Sequence, residues 1–254
     1  MSNAHNGHVT TEHHQGVGTI EFHHPKGNSL PSHLLHDLSR AIHRAAHDPE
    51  VRVIVLRSMG KVFCAGASFD ELTAIRTQEE GKAFFLGFAN VINAMRKCPK
   101  FIVARIHGHC IGGGVGLAAA SDYCLAMNHV EIRLSELAIG IGPSVIGPAV
   151  ERKIGLSAFS QLAIDAHSRR NADWARKRGL FAETHPTEEA LDEAVRRLTH
   201  SLVHASIEST MEMKHMFWHG TEHWDHLLEE RAATSARLLL TEAAQTALAG
   251  VKKG

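Results

Sequence analysis

The sequence predicts an α/β domain: a core of mostly parallel strands over residues 1–190, continued by a helical segment over residues 191–254. Three observations predict it. Two β-branched runs, 51–57 (VRVIVLR) and 101–107 (FIVARIH), each end in a glycine-bearing loop that leads into helical spacing. Strand-like and helix-like stretches alternate along the first part of the chain, as parallel sheets with helical crossovers require. Beyond Gly155 the spacing is mostly helical, over 157–167, 172–179, 187–204, 206–217 and 222–249.

The elements follow in order. Residues 1–15 are polar, and fraying is expected there. Residues 16–23 (GVGTIEFH) alternate as a strand does, and 24–30 (HPKGNSL) carry the turn formers Pro25, Gly27, Asn28 and Ser29. Leu34, Leu35, Leu38, Ile42 and Ala45 share one helical face over 31–47, which Asp48-Pro49 ends. A loop over 60–69 (GKVFCAGASF) precedes helical spacing at 70–76 and 82–97. The run GHCIGGGVGLAAA opens a helix of small residues, and 123–127 and 131–134 read as short strands.

Composition narrows the function classes. Of 254 residues 44% are apolar, enough for a sizeable core. Lys and Arg number 27, as do Asp and Glu, so no net field draws nucleic acid or an anionic membrane. No apolar run reaches the ~18 residues of a spanning helix, and the polar N-terminus lacks a signal-peptide core, so a cytoplasmic protein is expected. The four cysteines include no CxxC pair and read as reduced thiols. Histidine is over-used, at 21 residues, with helical spacing at His43/His47, His200/His204 and His215/His219/His223. A solvated helix face explains this better than a metal site. His219–His223 fits an inverted HxxEH pattern, but Gly220 weakens the helix that pattern needs.

Chemistry concentrates in two segments of one architecture, VIVLRSMGKVFCAGASFDEL and FIVARIHGHCIGGGVGLAAA. The first N–H groups of a helix lack internal partners, and two such junctions facing one cleft could serve a developing oxyanion, at ~3 kcal/mol per donor. The competing reading is that Gly112–Gly114, Gly116 and Ala118–Ala120 only let a helix pack closely. Gly114-x-Gly116-x-x-Ala119 fits a loose dinucleotide fingerprint, but lies too late in the chain for the first βα turn. No Lys-Ser or Lys-Thr follows the glycines, so a Walker loop is excluded. Glu136 is a lone acid in an apolar run. Burial would raise its pKa towards neutrality, while a salt bridge to Arg133 or Arg152 would make it structural.

Four blocks, HPKGNSL, VIVLRSMGKVFCAGASFDEL, IHGHCIGGGVGLAAASDY and LSELAIGIGPSVIGPAVERKIG, in this order resemble the enoyl-CoA hydratase/isomerase (crotonase) superfamily. The resemblance runs from about Gly16 to Lys252. It implies a crotonase-like ββα spiral core with a helical C-terminal trimerisation region, and a homotrimer or homohexamer. It assigns the oxyanion N–H groups to Ala67 and Gly113, and matches Glu136 to the second glutamate of typical hydratases. Asp122 is usual at its helix end. Pro25, Lys26, Asn28 and Leu30, with Cys64, Ala65, Gly66 and Ser68, would line the path of an acyl-CoA thioester, together with Gly112, Gly116 and Pro143. Coenzyme A then enters as part of the substrate, with no separate cofactor.

Three departures stand out: Gly116 where the first glutamate is usual, Ser68 where Asp is common, and PSVIGPAV in place of GAGGTQRL. The implied reaction is hydration of a 2-enoyl-CoA, including branched esters such as methylglutaconyl-CoA. The alternatives are a 3-to-2 enoyl-CoA isomerase using Glu136 alone, a thioester hydrolase using Ser68 or Ser144, and a non-catalytic acyl-CoA binder. His107, His109, Tyr123 and Glu71 are candidates for a second catalytic group. The apolar tail, with Trp218, Trp224 and Leu238–Leu240, serves either subunit contacts or its own core.

Overall fold

A computed structural model describes residues 6–251 of the chain. Strands β1 (His8–His14), β2 (Val17–His23), β3 (Val53–Ser58) and β4 (Ile102–Ile106) come first, with helices α1 (Ser32–His47), α2 (Phe69–Ala74) and α3 (Gln78–Lys97) among them. Then follow β5 (Cys110–Ile111), α4 (Gly113–Ala120), β6 (Tyr123–Met127), β7 (Glu131–Arg133), a 3-10 turn at Leu137–Ile139 and α5 (Gly147–Ile164). The chain ends through β8 (Arg170–Asn171), α6 (Ala172–Lys177), β9 (Glu183–His185), α7 (Glu188–Val203), α8 (Ile207–Trp218), α9 (Trp224–Leu239) and α10 (Glu242–Val251).

Two sheets share these strands. The larger has the order β1-β2-β3-β4-β6-β9, parallel throughout except for β1, and the smaller has the order β5-β7-β8. Two turns of the chain leave a strand in the large sheet and then one in the small sheet: β4 and β5 before α4, and β6 and β7 before the 3-10 turn. The β3 and β4 runs are β-branched because both sheet faces are covered, and nearly every residue in them is buried. Helix α4 is buried on every side, which is why it contains only Gly, Ala, Val and Leu.

Three expectations need correction. Residues 8–14 do not fray; they form a hairpin with β2 in full register, closed by Gln15 and Gly16 at φ 48° and 82°. As an edge strand exposed along almost its whole length, β1 needs no apolar alternation, so its sequence reads as loop. Fraying of residues 1–5 concerns a stretch outside the described residues. The helix expected over 222–249 is two helices, with Thr241 Oγ1 accepting from Ala244 N at 3.3 Å where α10 begins. The stretch from 147 onward is already helical, kinked at Gly155 with φ 79°.

The tail packs on its own core. Trp224, Leu228 and Leu239 are buried, and Gly81 of α3 accepts Ala236 of α9 so closely that a Cβ there would lie 2.8 Å from the alanine methyl. Helix α8 is held by Asp122, at the end of α4. Its Oδ2 accepts from Lys214 Nζ at 2.5 Å and Ile102 N at 2.8 Å, and its Oδ1 from Trp218 Nε1 at 3.0 Å. Arg152, the other cation considered for Glu136, instead lies over the Trp218 ring at 5.1 Å.

Candidate active site

The glycine loops meet. Cys64 N donates to His109 O and Ile111 N to Cys64 O, which fastens the CAGA loop beside β5. Gly66 lies so close to the next turn that a Cβ on it would sit 2.9 Å from Ile111 O and 3.2 Å from Gly113 N. Its φ of 89° also favours glycine. Leu30 N donates to Gly66 O, and Leu30 O accepts from Ser68 N. That parallel bridge turns the N–H and the C=O of Ala67 itself away from Leu30. Gly113 is the first residue of α4, so its N–H has no intrahelical acceptor. Among the described residues no hydrogen bond uses the N–H of Ala67 or of Gly113, and both residues line one cleft of about 540 Å³.

Each glycine of the GGG run has its own reason. Gly112, at φ 51° and ψ −118°, has a conformation that favours glycine, and a Cβ there would lie 2.9 Å from Glu136 Oε1. A Cβ at Gly113 would strike the Phe88 ring at 2.3 Å, and one at Gly114 the Cys64 carbonyl at 2.5 Å. The small residues therefore serve close packing as well as the cleft; the two readings are compatible.

Glu136 lines the same cleft, just before the 3-10 turn. Burial pushes its carboxyl up from the ordinary 4.5 to about 7, against smaller opposing contributions from peptide N–H groups and the Arg133 charge. Its Oε2 is shielded and has no hydrogen-bond partner. No ion pair joins it to Arg133 or Arg152 among the described residues, so the salt-bridge role does not hold. The other walls are mainly apolar, with Leu72, Phe85, Phe88, Ile139, Ile141 and Ile146.

Of the residues singled out from the sequence, Lys26, Ala65, Gly66, Ala67, Gly112, Gly113, Arg133, Glu136, Pro143 and Ser144 line the cleft. Pro25, Asn28, Leu30, Cys64, Ser68 and Gly116 are not among its lining residues, and physical reasons are visible for each. Pro25 is exposed beyond the rim and Leu30 is buried in the core. Asn28 is a clamp: its Nδ2 donates to Met59 O and Val62 O at 2.6 and 2.7 Å, and its Oδ1 accepts from His24 N at 2.7 Å. Cys64 faces Cys110 in the core, with its thiol pushed up to about 12 by burial. Ser68 caps α2 through its hydroxyl and is buried, which leaves it unsuited to nucleophilic attack.

Gly116 is walled off by Ile146, whose Cγ2 would lie 2.5 Å from a Cβ there. The candidates for a second catalytic group are engaged elsewhere. Glu71 holds Ser32 at the start of α1, His107 bonds Gly60 O, His109 accepts from Glu131 N, and Tyr123 donates to Glu183. Sequence reasoning took in Ile146 only as part of the divergent PSVIGPAV stretch, without its role, and missed Ser235 of α9 and His167 as cleft residues. Neither Ser235 nor His167 had a signal.

The comparisons with known proteins agree with this architecture. The family model described as enoyl-CoA hydratase/isomerase matches residues 12–251. An enoyl-CoA hydratase of Alternaria alternata is 29% identical over 185 residues, covering 73% of this chain and 60% of that protein. A peroxisomal Δ(3,5)-Δ(2,4)-dienoyl-CoA isomerase of Arabidopsis thaliana is 32% identical over 151 residues, covering 52% and 54%. The mitochondrial methylglutaconyl-CoA hydratase of Mus musculus is 34% identical over 141 residues, covering 55% and 45%. The chain thus spans about half the length of these relatives. A crystal structure of an enoyl-CoA hydratase from Mycobacterium avium superposes with a TM-score of 0.84 at 25% identity, covering 100% of this chain and 98% of that one. By sequence over most of its length, and by fold, the chain belongs to the enoyl-CoA hydratase/isomerase family.

Proposed function

We propose that this protein moves a proton on the acyl chain of an enoyl-CoA thioester, shifting a 3,4 double bond to the 2,3 position, with Glu136 as its single acid–base group. The thioester oxygen would accept from the free N–H groups of Ala67 and Gly113. Glu136 takes a proton from C2 and the charge settles on that oxygen as a dienolate. The same carboxyl then returns the proton to C4. Two such donors are each worth ~3 kcal/mol of barrier in comparable sites. A carboxyl near neutrality can both take and return a proton at physiological pH.

The observation that carries this reading is the Ile146 side chain lying where a residue at 116 would extend. A second carboxylate is missing there, and an apolar group fills its place, so nothing orients a water on that side. Hydration of a 2-enoyl-CoA is the second reading, favoured by the hydratase names of two relatives. Supplying 3-hexenoyl-CoA and crotonyl-CoA separates the two. The proposal expects a conjugated product from the first and little hydration of the second; efficient hydration of crotonyl-CoA alone would overturn it.

The same packing makes a further expectation. Gly116→Glu alone should destabilise the fold by about 1–3 kcal/mol and confer no hydration. Gly116→Glu with Ile146→Gly should recover stability and add water to crotonyl-CoA. A single variant that melts with the wild type would show that Ile146 does not block the position.

A homotrimer or homohexamer is part of the proposal. Its support is the apolar outer face of α8, where Met211, Met216 and Phe217 are 45%, 68% and 48% exposed. Sedimentation at micromolar concentration should give a multiple of three chains, and a monomer would contradict it.

A further inference from the structure

We infer that Arg133 binds a carboxylate at the far end of the acyl group, so that the cleft takes the CoA thioester of a dicarboxylic acid. This deepens the reading above and rests on it for the placement of the thioester at the Ala67 and Gly113 amides.

Arg133 ends β7, paired with Ile111, and its carbonyl accepts from Gly112 N at 2.8 Å. Arg133 is one of the residues lining the cleft. Its side chain makes no hydrogen bond or ion pair among the described residues, and its Nε is shielded from solvent without a partner. Other partly buried guanidinium groups of the molecule are matched: Arg105 meets Asp192 and Glu188, Arg96 meets Asn93 and Asp225, and Arg170 meets Asp165. A guanidinium partly desolvated and left unmatched is costly, and its planar fork suits a carboxylate.

The charges around the cleft leave Arg133 in surplus. Lys26 and Asp70 pair with each other. Glu136 feels the Arg133 charge, yet its carboxyl stands at about 7, so near neutral pH it is partly protonated and cannot balance a permanent cation.

Position decides which anion would be matched. Arg133 fixes Gly112, the residue before the Gly113 amide, and it acts electrostatically on Glu136. It therefore belongs to the layer of the reacting carbons. The phosphates of coenzyme A are separated from that layer by the uncharged pantetheine arm. An anion delivered beside Glu136 belongs to the acyl chain.

The test uses glutaryl-CoA and pentanoyl-CoA, which have the same chain length and differ by a terminal carboxylate. Both are saturated, so neither can be hydrated or isomerised. Calorimetric titration of the wild-type protein should show glutaryl-CoA binding at least ~10-fold tighter, a difference of about 1.4 kcal/mol. In Arg133→Gln the ratio should collapse to near one, and Arg133→Lys should recover part of it. Equal or tighter binding of pentanoyl-CoA by the wild type overturns the proposal without recourse to any variant. So does Arg133→Gln if it weakens both esters alike, because that is the signature of a residue that only supports Gly112. Turnover of 3-hexenoyl-CoA and of its diacid counterpart 3-hexenedioyl-CoA is measured in parallel. A wild type that isomerises but does not prefer the diacid removes Arg133 alone. A wild type that prefers the diacid but shifts the double bond of neither 3-hexenoyl-CoA nor 3-hexenedioyl-CoA removes the catalytic reading alone.

Discussion

Replacing Glu136 with Gln should lower kcat on the enoyl-CoA ester by at least ~100-fold while leaving the dissociation constant of a saturated CoA ester within a few-fold. The substitution keeps the size of the side chain and removes the group that takes the proton. The wild-type kcat/KM should show an ascending limb as pH rises through about 7, where the buried carboxyl ionises, and the variant should lack it. Full activity in the variant would take Glu136 out of the mechanism.

The same carboxyl sets a stability effect of opposite sense. Its folded-state pKa of about 7 lies above the ordinary 4.5, so the folded form holds the proton more tightly than the unfolded chain. The resulting stabilisation is complete below 4.5 and is lost as pH rises through about 7. By this linkage ionisation costs at most ~3 kcal/mol. Glu136→Gln stays neutral throughout, so it should melt above the wild type at pH 8 and close to it at pH 4.5. A variant that melts lower at pH 8 would mean that the carboxylate is well paired in the folded protein.

Lys214→Met should be the most damaging single change outside the cleft. The Lys214 ammonium and the Asp122 carboxylate have side chains only 3% and 7% exposed. Removing the cation leaves a buried carboxylate uncompensated, a defect of ~3–5 kcal/mol. For a chain of this length that corresponds to a fall in Tm on the order of 10 °C by calorimetry. Asp122→Asn in the Lys214→Met background should restore part of it, because the stranded charge is gone. Only part returns, because the single amide oxygen can accept from one of Ile102 N and Trp218 Nε1 but not from both. An unchanged Tm in the single variant would mean that α8 is anchored by packing alone. The consequence reaches the cleft, because the tail that α8 begins also supplies Ser235 to its wall.

Much of the candidate site was legible in the sequence because the groups proposed to do its chemistry lie largely in the backbone. An amide that must stay free needs a loop-to-helix junction, and a loop that must touch another loop needs glycine; CAGA and GGG write both requirements as residue types. Glu136 was legible as a lone acid in an apolar run, but not whether Arg133 or Arg152 would pair with it. Ile146 and Arg133 were not legible in their roles. An isoleucine among apolar residues and an arginine on a short strand are ordinary until the fold shows what they face. Lys214 was equally silent, being one of several charges on a helix of mixed polarity, with its partner 92 residues earlier. The N-terminal strand failed as a prediction because an exposed edge strand has no buried face to imprint alternation on its residues.

Local order, then, was determined by the sequence alone: strand runs that are buried on both faces, helices with one apolar side, glycine where a Cβ has no room. The tertiary structure decided three things no local pattern encodes. It set Gly66 against the peptide of Gly113, left Glu136 without a cation within bonding reach, and laid the Ile146 side chain over Gly116. Each depends on residues brought together from separate segments of the chain, and hydrophobic burial, which drives that assembly, does not depend on which neighbours in sequence a residue has.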